Sequence, residues 1–288
     1  MTTRNQLKNE FEERFHQKWT SLSVQYHFKA IASKLFSIPF SEVAFNLKDE
    51  VTDEELLVFQ SFLLRLEVNE PLQHIVGETE FMGLPILCSS SALIPRPETE
   101  ELVELILEKV KSQVKKDFHV LDLCTGTGCI AIALQKLLPN AKITALDYFD
   151  DTIELAHKNC ELNKISVEIL KVNVLSESEM AILTENFFDI WVSNPPYIPE
   201  SDKSKMEDNV LRFEPGAALF VPNDDPLLFY KIITRNATNS LKENGWLFFE
   251  IHEDFGKELI ALLKQNKFRN IGLVKDMQGK NRMIYGQK

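Results

Sequence analysis

Asn194-Pro195-Pro196-Tyr197 is the stretch of this chain whose residue types point most directly to chemistry. It closely follows residues 187–192, a short apolar run that is typical of a buried parallel strand. Two consecutive prolines cannot donate to a sheet ladder, so the chain must leave the sheet here. Asn194 is then expected at the carboxyl end of a strand, where open α/β sheets bind ligands. An ordinary strand-ending loop is the alternative, because Asn-Pro also favours turns.

The tetrapeptide could prepare a planar nitrogen, such as an amide or an exocyclic base amine, for methylation. That nitrogen is a poor nucleophile because its lone pair is delocalised into the attached π-system. The side-chain oxygen of Asn194 and the backbone carbonyl of Pro195 can each accept one of its N–H bonds, which orients the lone pair and stabilises the developing positive charge. Tyr197 can stack on the planar group and fix its plane.

A glycine-rich loop occurs upstream, in the segment His119-Val120-Leu121-Asp122-Leu123-Cys124-Thr125-Gly126-Thr127-Gly128. The pattern predicts a strand, a loop and then a helix whose free N–H groups favour an anionic group. Glycines at 126 and 128 let the backbone approach a ligand closely. A tight structural turn explains them nearly as well, and together with Ala131 they also fit the dinucleotide fingerprint. The loop alone therefore leaves NAD and FAD open.

Two further predicted strands end at polar residues. Residues 141–146 lead to Asp147, whose carboxylate can accept both hydroxyls of a ribose, although a helix-capping role is the alternative. Residues 167–172 lead to Asn173, whose amide can read the exocyclic amine of an adenine or belong to an ordinary loop. An adenosine-type cofactor would lie across these strand ends, beside a loop that orients a nitrogen nucleophile. S-adenosylmethionine fits this arrangement better than a hydride carrier.

The order of the motifs resembles the family of release-factor glutamine methyltransferases over nearly the whole chain. Besides the glycine loop and the tetrapeptide, the segments that carry the resemblance are Pro71-Leu72-Gln73-His74-Ile75-Val76-Gly77-Glu78, Leu93-Ile94-Pro95-Arg96-Pro97-Glu98-Thr99-Glu100, Glu214-Pro215 and Ala218-Leu219. Asn-Pro-Pro-Tyr is also shared with DNA amino-methyltransferases and guanine-N2 RNA methyltransferases. The Ile-Pro-Arg-Pro-Glu-Thr-Glu stretch narrows the resemblance to this family.

The resemblance implies methyl transfer from S-adenosylmethionine to the glutamine of the Gly-Gly-Gln motif in class I peptide-chain release factors. It implies that the glutamine is held by Asn194, Pro195, Pro196 and Tyr197. It implies cofactor contacts at Cys124, Thr125, Gly126, Thr127, Gly128, Asp147, Asn173, Val174 and Asn194. The family often has Gly in place of Cys124 and Asp in place of Asn173. A cysteine permits the tight turn if its φ is negative, and an asparagine keeps the acceptor oxygen but loses the charge.

Composition narrows the class of protein. The chain has 288 residues, of which 44% are hydrophobic, so it can build one or two domains with real cores. A formal charge of −11 argues against a general nucleic-acid-binding surface. The four cysteines form no Cys-x-x-Cys pair and the six histidines show no ligand spacing, so we expect reduced thiols and no metal site. Polar first residues and the lack of an apolar run near 18 residues predict a cytoplasmic protein, and we expect a monomer.

Periodicity, together with what the resemblance implies, predicts three regions. Residues 1–75 form a helical substrate-docking domain, with Phe11, Phe15, Trp19 and Leu22 on one stripe and a capping box from Thr52 to Glu55. Residues 76–96 form an extended linker or hairpin. Residues 97–288 form a Rossmann-like class I methyltransferase domain, an α/β fold whose sheet ends in an antiparallel edge.

Within the third region, residues 198–225 show no clean period and predict an irregular insertion for substrate recognition. Asp225-Pro226 predicts a helix start, with Asp as N-cap. Residues 246–251 predict a fifth strand, and residues 268–274 with 282–285 predict the antiparallel edge. Two other functions stay open at this point: amino-methylation of a nucleic-acid base, and a non-catalytic adenosyl-binding adaptor.

Overall fold

The computed structural model describes residues 2–111, 117–183 and 187–288. The chain divides into two compact units, one formed by Met1–Gly77 with Asp208–Phe213 and the other by Glu78–Glu207 with Glu214–Lys288. Across the described ranges, every helix is too short or too polar to cross a membrane.

Helices dominate the start of the chain and alternate with strands after it. The helices are α1 (Arg4–Phe15), α2 (Ser21–Phe36), α3 (Asp53–Glu67), α4 (Leu72–Val76), α5 (Pro97–Lys111), α6 (Cys129–Leu137), α7 (Asp150–Asn163), α8 (Glu177–Met180), α9 (Asp208–Phe213), α10 (Gly216–Leu219), α11 (Leu228–Ser240) and α12 (Gly256–Gln265). The strands are β1 (Glu78–Phe81), β2 (Leu84–Leu87), β3 (His119–Leu123), β4 (Lys142–Asp147), β5 (Glu168–Lys171), β6 (Phe188–Ser193), β7 (Ile198–Pro199), β8 (Phe220–Val221), β9 (Leu241–Glu250), β10 (Arg269–Lys275) and β11 (Asn281–Gln287). Short 3₁₀ helices cover Phe40–Phe45 and Glu200–Lys205.

The first unit is built from helices α1 to α4 around one apolar core. Phe11 and Phe15 of α1 are buried there with Phe59 and Leu63 of α3. Leu22 was expected on the same stripe and is instead 80% exposed. The period of α1 does not extend to this residue, because α1 ends at Phe15 and a new helix begins at Ser21.

The predicted capping box at the start of α3 is confirmed. The Thr52 hydroxyl accepts a hydrogen bond from the backbone N–H of Glu55 at 3.1 Å. The Glu55 carboxylate in turn accepts from the backbone N–H of Thr52 at 2.8 Å. Two N–H groups that the first turn would leave unpaired are thereby satisfied.

The second unit contains a seven-stranded sheet with the order β10-β11-β9-β6-β3-β4-β5. The five strands from β9 to β5 are parallel, while β11 pairs antiparallel with β9 and β10 pairs antiparallel with β11. The predicted sheet with an antiparallel edge is confirmed. Because neighbouring parallel strands point the same way, the residues that follow β3, β4, β5, β6 and β9 meet at one edge.

Helices cover both faces of the sheet. Val120, Ile190 and Phe248 point to a core shared with α5 and α6, whereas Leu121 and Trp191 point to a core shared with α11 and α12. Alternate residues of one strand thus enter different cores, as the period of two in a strand requires. All six residues of β6 are buried, which explains why four of them are apolar.

Three expectations for the second half of the chain need correction. Strand β9 begins at Leu241, five residues before the predicted start, and its pairing with β6 is irregular where Phe188 and Ile190 face Leu241 and Trp246. Helix α11 begins at Leu228 with Leu227 as N-cap, and no side chain among the described residues caps it. The Asp225 carboxylate binds Lys231 at 2.7 Å instead.

The third correction concerns residues 198–225, which are not irregular. They contain β7, a 3₁₀ helix, α9, α10 and β8, with β7 and β8 paired in parallel. Each element is six residues or shorter, so none is long enough to show a period in the sequence.

We expect Thr52→Ala to lower the free energy of unfolding by about 1 kcal/mol, because α3 loses a side-chain cap. Urea denaturation followed by circular dichroism measures the loss. Thr52→Ser keeps the hydroxyl and is the matched control. Equal stability of the alanine and serine variants would show that the cap contributes nothing.

Candidate active site

A cavity of about 330 Å³ lies at the carboxyl edge of the parallel strands. Seven of the predicted site residues line it: Cys124, Gly126, Asp147, Asn173, Val174, Asn194 and Pro196. Five others do not line it: Thr125, Thr127, Gly128, Pro195 and Tyr197. The structure therefore brings the ends of β3, β4, β5 and β6 to one concave site, as expected for a ligand that crosses several strands.

The loop after β3 is held in a conformation that favours glycine. Gly126 and Gly128 have φ of +57° and +80°, a region that side chains rarely adopt. Cys124 also has a positive φ, +60°, so the turn forms although the condition of a negative φ is not met. The loop is closed by the Thr125 backbone N–H, which donates to the Leu146 carbonyl at 2.9 Å. Gly128 is the N-cap of α6, and it exposes the first N–H groups of that helix.

Asp122 supports the loop from inside β3. It is fully buried, and its carboxylate accepts a hydrogen bond from the Thr125 hydroxyl at 2.5 Å. Burial raises the pKa of Asp122 to about 7, because the charged form loses its hydration. The side chain of Thr125 therefore ties the loop to β3.

Asp147, at the end of β4, is already engaged by three backbone donors. Its carboxylate accepts from the N–H groups of Gly126 at 2.9 Å, Tyr148 at 2.8 Å and Phe149 at 3.4 Å. Burial raises its pKa, while these three donors lower it. A carboxylate has about four acceptor positions, so one remains for a ligand hydroxyl in the cavity.

The end of β5 supplies an amide, and the residues that follow β4 supply an aromatic wall. The side-chain oxygen of Asn173 accepts from the backbone N–H of Leu175 at 2.9 Å, so this residue shapes the loop that carries Val174. The oxygen keeps a second lone pair, and Asn173 lines the cavity. Tyr148 and Phe149 also line the cavity, each with 48% of its surface exposed. Exposed rings at a cavity wall can stack on a planar ligand.

Asn194 is tied to a buried carboxylate through one hydroxyl. Its Nδ2 group donates to the Thr99 hydroxyl oxygen at 3.2 Å, and the Thr99 hydroxyl donates to Glu250 Oε2 at 2.7 Å. Thr99 and Glu250 are 3% and 2% exposed. The side-chain oxygen of Asn194 accepts no hydrogen bond within the described part of the chain, so it is available to a ligand.

Tyr197 is held behind the loop. Its hydroxyl donates to the other oxygen of Glu250, Oε1, at 3.1 Å, and its ring packs edge-on against His252. Burial raises the pKa of Tyr197 far above its ordinary value, so the phenol stays protonated and acts as a donor. Burial likewise raises the pKa of Glu250, against the opposing charge of Arg282.

The segment before α5 closes another side of the cavity, where Leu93 and Pro215 are among the lining residues. The buried carboxylate of Glu214 accepts from the Arg96 guanidinium at 2.5 Å and from the Ile94 backbone N–H at 3.2 Å. Glu214 thus binds the segment before α5 through both of its oxygens and joins two stretches of chain that are 118 residues apart.

Thiol and metal chemistry find no support at the site. Burial raises the pKa of Cys129 to about 12 and that of Cys124 further, so both stay protonated thiols. Across residues 2–111, 117–183 and 187–288, no His, Cys, Asp and Glu side chains gather as a set of three or more metal ligands.

Two family models match the chain. One, described as "PrmC N-terminal domain", covers residues 9–77, and the other, "Methyltransferase small domain", covers residues 96–213. A protein from Flavobacterium psychrophilum called release factor glutamine methyltransferase is 46% identical over 80% of this chain and 80% of its own length. This chain belongs to the release factor glutamine methyltransferase family. The predicted family is confirmed.

A further relative and two solved structures agree with this assignment. The release factor glutamine methyltransferase of Streptococcus pneumoniae is 36% identical over 97% of this chain and 96% of its own. A methyltransferase from Pyrococcus furiosus has a TM-score of 0.51 at 18% identity, covering 80% of this chain and 97% of its own. A 16S rRNA methyltransferase from T. thermophilus, solved with AdoMet and guanosine, has a TM-score of 0.52 at 19% identity, covering 73% and 49%. These structures show that the fold is that of class I methyltransferases.

Sequence reasoning missed Thr99 and Glu250, the buried residues that hold the side chain of Asn194. Glu250 follows the apolar run Trp-Leu-Phe-Phe, the same pattern of an acid at a strand end that singled out Asp147. Thr99 lies in a segment that the family resemblance picked out without giving it a role. No local signal pairs the two, since they are 151 residues apart.

We expect Asp122→Asn to change how the stability of this methyltransferase depends on pH. Asp122 has a folded pKa near 7, above its unfolded value, so the native state retains a proton that the unfolded state has released. Stability of the wild type therefore falls as pH rises from about 4 to about 7, by up to about 1.4 kcal/mol per pH unit.

Asp122→Asn is neutral throughout, so its stability relative to the wild type should rise between pH about 5 and about 8. Urea denaturation at both values measures this difference, and Asp151→Asn, at an exposed acid, is the control. Parallel pH profiles for Asp122→Asn and the wild type would contradict the expectation.

Proposed function

We propose that this protein transfers the methyl group of S-adenosylmethionine to the side-chain amide nitrogen of the glutamine in the Gly-Gly-Gln motif of class I peptide-chain release factors. One observation carries the proposal. Asn194 lines the cavity with its Nδ2 group engaged by Thr99 and its oxygen open, which is the polarity needed to accept an N–H from a substrate amide. Membership of the release factor glutamine methyltransferase family supports the choice of substrate.

The residues of the cavity fit the cofactor. The open acceptor position of Asp147 suits a ribose hydroxyl, and Tyr148 and Phe149 suit the face of an adenine. Asn173 and Val174 lie at the next strand end, where the edge of that base would be read. The positive φ at Gly126 brings the loop backbone to the cavity without side-chain obstruction. When bound, S-adenosylmethionine supplies an electrophilic methyl group.

The chain's own groups then orient the glutamine. Asn194 Oδ1 accepts one N–H of the substrate amide, and the backbone carbonyl of Pro195 accepts the other. Both acceptors stabilise the positive charge that develops on the nitrogen as it attacks the methyl group. This stabilisation is stronger in a site shielded from water. No general base is required, because the methylated nitrogen becomes acidic and loses its proton after transfer. Tyr197, anchored on Glu250, limits the movement of the loop.

The helical unit is proposed to recognise the protein that carries the glutamine. Two acceptors can read only a small planar amide, which every glutamine in a cell presents. Contacts away from the reacting atoms must supply the selectivity, and binding energy gained there can position the amide.

Radiolabelled S-adenosylmethionine tests the substrate directly. The protein is incubated with an intact class I release factor, with a short peptide containing Gly-Gly-Gln, or with duplex DNA. We expect label on the glutamine of the intact factor, less on the peptide, and none on DNA. Label on DNA alone would support base methylation, and label on nothing despite cofactor binding would support a non-catalytic adaptor; either result would refute the proposal.

Asn194→Ala should reduce kcat for the intact factor by about 100-fold or more, because one acceptor for the attacking amide is lost. Affinity for the cofactor, measured by calorimetry, should change much less. Asn236→Ala is a matched control, since Asn236 is a half-buried asparagine in α11 whose Nδ2 group donates to the Ile232 carbonyl. Near-normal turnover by Asn194→Ala would remove this residue from the mechanism.

Asp147→Ala should lower the affinity for S-adenosylmethionine by about 10- to 100-fold, because one charge-assisted hydrogen bond is lost. Calorimetric titration measures the affinity. Asp151→Ala removes one negative charge from an exposed position nearby and controls for net charge. Equal affinities of the two variants would show that the Asp147 carboxylate does not bind the cofactor.

A further inference from the structure

We propose that Thr99 and Glu250 are positioning residues that fix which end of the Asn194 side-chain amide faces the substrate. The inference rests on the proposed function, in which the oxygen of Asn194 accepts from the substrate nitrogen. Neither residue lines the cavity, so both act through Asn194. The relay runs from Asn194 Nδ2 to Thr99 Oγ1 at 3.2 Å and from Thr99 Oγ1 to Glu250 Oε2 at 2.7 Å.

The direction of the relay follows from counting protons. A threonine hydroxyl has one proton to donate, and an ionised carboxylate has none. With Glu250 ionised, the proton of Thr99 must point to the carboxylate, so only lone pairs of Thr99 remain for Asn194. Asn194 must then present its NH₂ group to Thr99, which leaves its oxygen on the other side.

Burial raises the pKa of Glu250, but two hydroxyl donors and one cation oppose that shift and stabilise the ionised form that this count requires. The two oxygens of Glu250 accept hydrogen bonds from the hydroxyls of Thr99 and Tyr197. The positive charge of Arg282 in β11 also lowers the pKa of Glu250. Glu98 in α5 opposes ionisation through its own negative charge. The Tyr230 hydroxyl of α11 donates to the backbone carbonyl of Glu250 at 3.0 Å, which fixes the end of the strand.

An asparagine without this relay would have no fixed orientation. Its amide could turn by half a rotation about the last side-chain bond and present NH₂ to the substrate, two donors facing each other. In that orientation the substrate nitrogen loses an acceptor and meets a repulsive dipole. The relay removes this unproductive state before the substrate binds, which is preorganisation of the kind that raises kcat.

Thr99→Val tests the relay, because valine keeps the shape of threonine and removes the hydroxyl. We expect a roughly tenfold or larger fall in kcat, little change in KM for the release factor, and unchanged affinity for S-adenosylmethionine. Thr99→Ser keeps the hydroxyl and should restore most of the lost kcat. Thr234→Val is the matched control, since Thr234 is a fully buried threonine whose hydroxyl has no hydrogen-bond partner among the described residues.

A second measurement uses the wild type and therefore does not depend on the folding of any variant. In protein labelled with ¹⁵N-asparagine, the side-chain NH₂ signals of Asn194 are assigned by their loss in Asn194→Ala. One of the two protons should exchange slowly with solvent, because it is held by the buried Thr99. Rapid exchange of both protons would show that the NH₂ group faces the cavity and would overturn the inference.

The outcomes separate this inference from the proposed function. If the wild type methylates the release factor and Thr99→Val matches Thr234→Val in kcat, the relay is irrelevant and the inference is wrong. If the wild type shows the slow NH₂ proton but methylates no release factor, the orientation of Asn194 stands and the proposed substrate is wrong. Rescue by Thr99→Ser together with the slow proton would support both the relay and its direction.

Discussion

The buried carboxylate of Glu250 is the group on which the arrangement of the site depends. A charge at 2% exposure is stable only when donors replace the water it has lost. The donors come from different parts of the chain: Thr99 from α5, and Tyr197 from the loop after β6. Their need to meet one carboxylate fixes the start of α5 and the Asn-Pro-Pro-Tyr loop relative to the end of β9. The Asn-Pro-Pro-Tyr loop is thereby held by contacts that its own few residues could not provide.

The topology of the sheet explains why this carboxylate is near the cavity at all. Five parallel strands end at the same edge, so each strand contributes the residue that follows it to a common region. Asp147 and Asn194 reach the cavity in this way, from β4 and β6. Glu250 ends the neighbouring strand β9, does not line the cavity and is linked to Asn194 through Thr99. The parallel strands thus supply both residues that line the cavity and a residue that holds one of them in place.

The sequence predicted the features that depend on local pattern. The strands of the parallel sheet, the glycine loop and the capping box at Thr52 each leave a signal within a few residues, and the structure has them. Features that depend on distant partners were missed. The contact between Asn194 and Thr99 joins residues 95 apart, and no periodicity reports it. The sign of φ at Cys124 was left open, and the structure makes it positive because the loop imposes a conformation that the residue itself disfavours. Family resemblance marked the segment around Thr99, and only the structure supplies a physical reason for it.

The buried acidic residues lower the stability of the fold, and they lie in one part of the sheet. Burial raises the pKa of Asp122, Asp147 and Glu250, so each resists ionisation in the folded state and weakens the fold at neutral pH. A sheet selected only for stability would place apolar or amide side chains at these positions. All three lie on parallel strands around one cavity, two of them at strand ends, and such clustering of perturbed groups is typical of functional sites. Specific donors also bind these carboxylates: the Thr125 hydroxyl binds one oxygen of Asp122, and backbone N–H groups bind Asp147. The loss of stability therefore arises towards the carboxyl ends of the strands, the side on which the cavity lies, while the cores between the sheet and its helices are apolar.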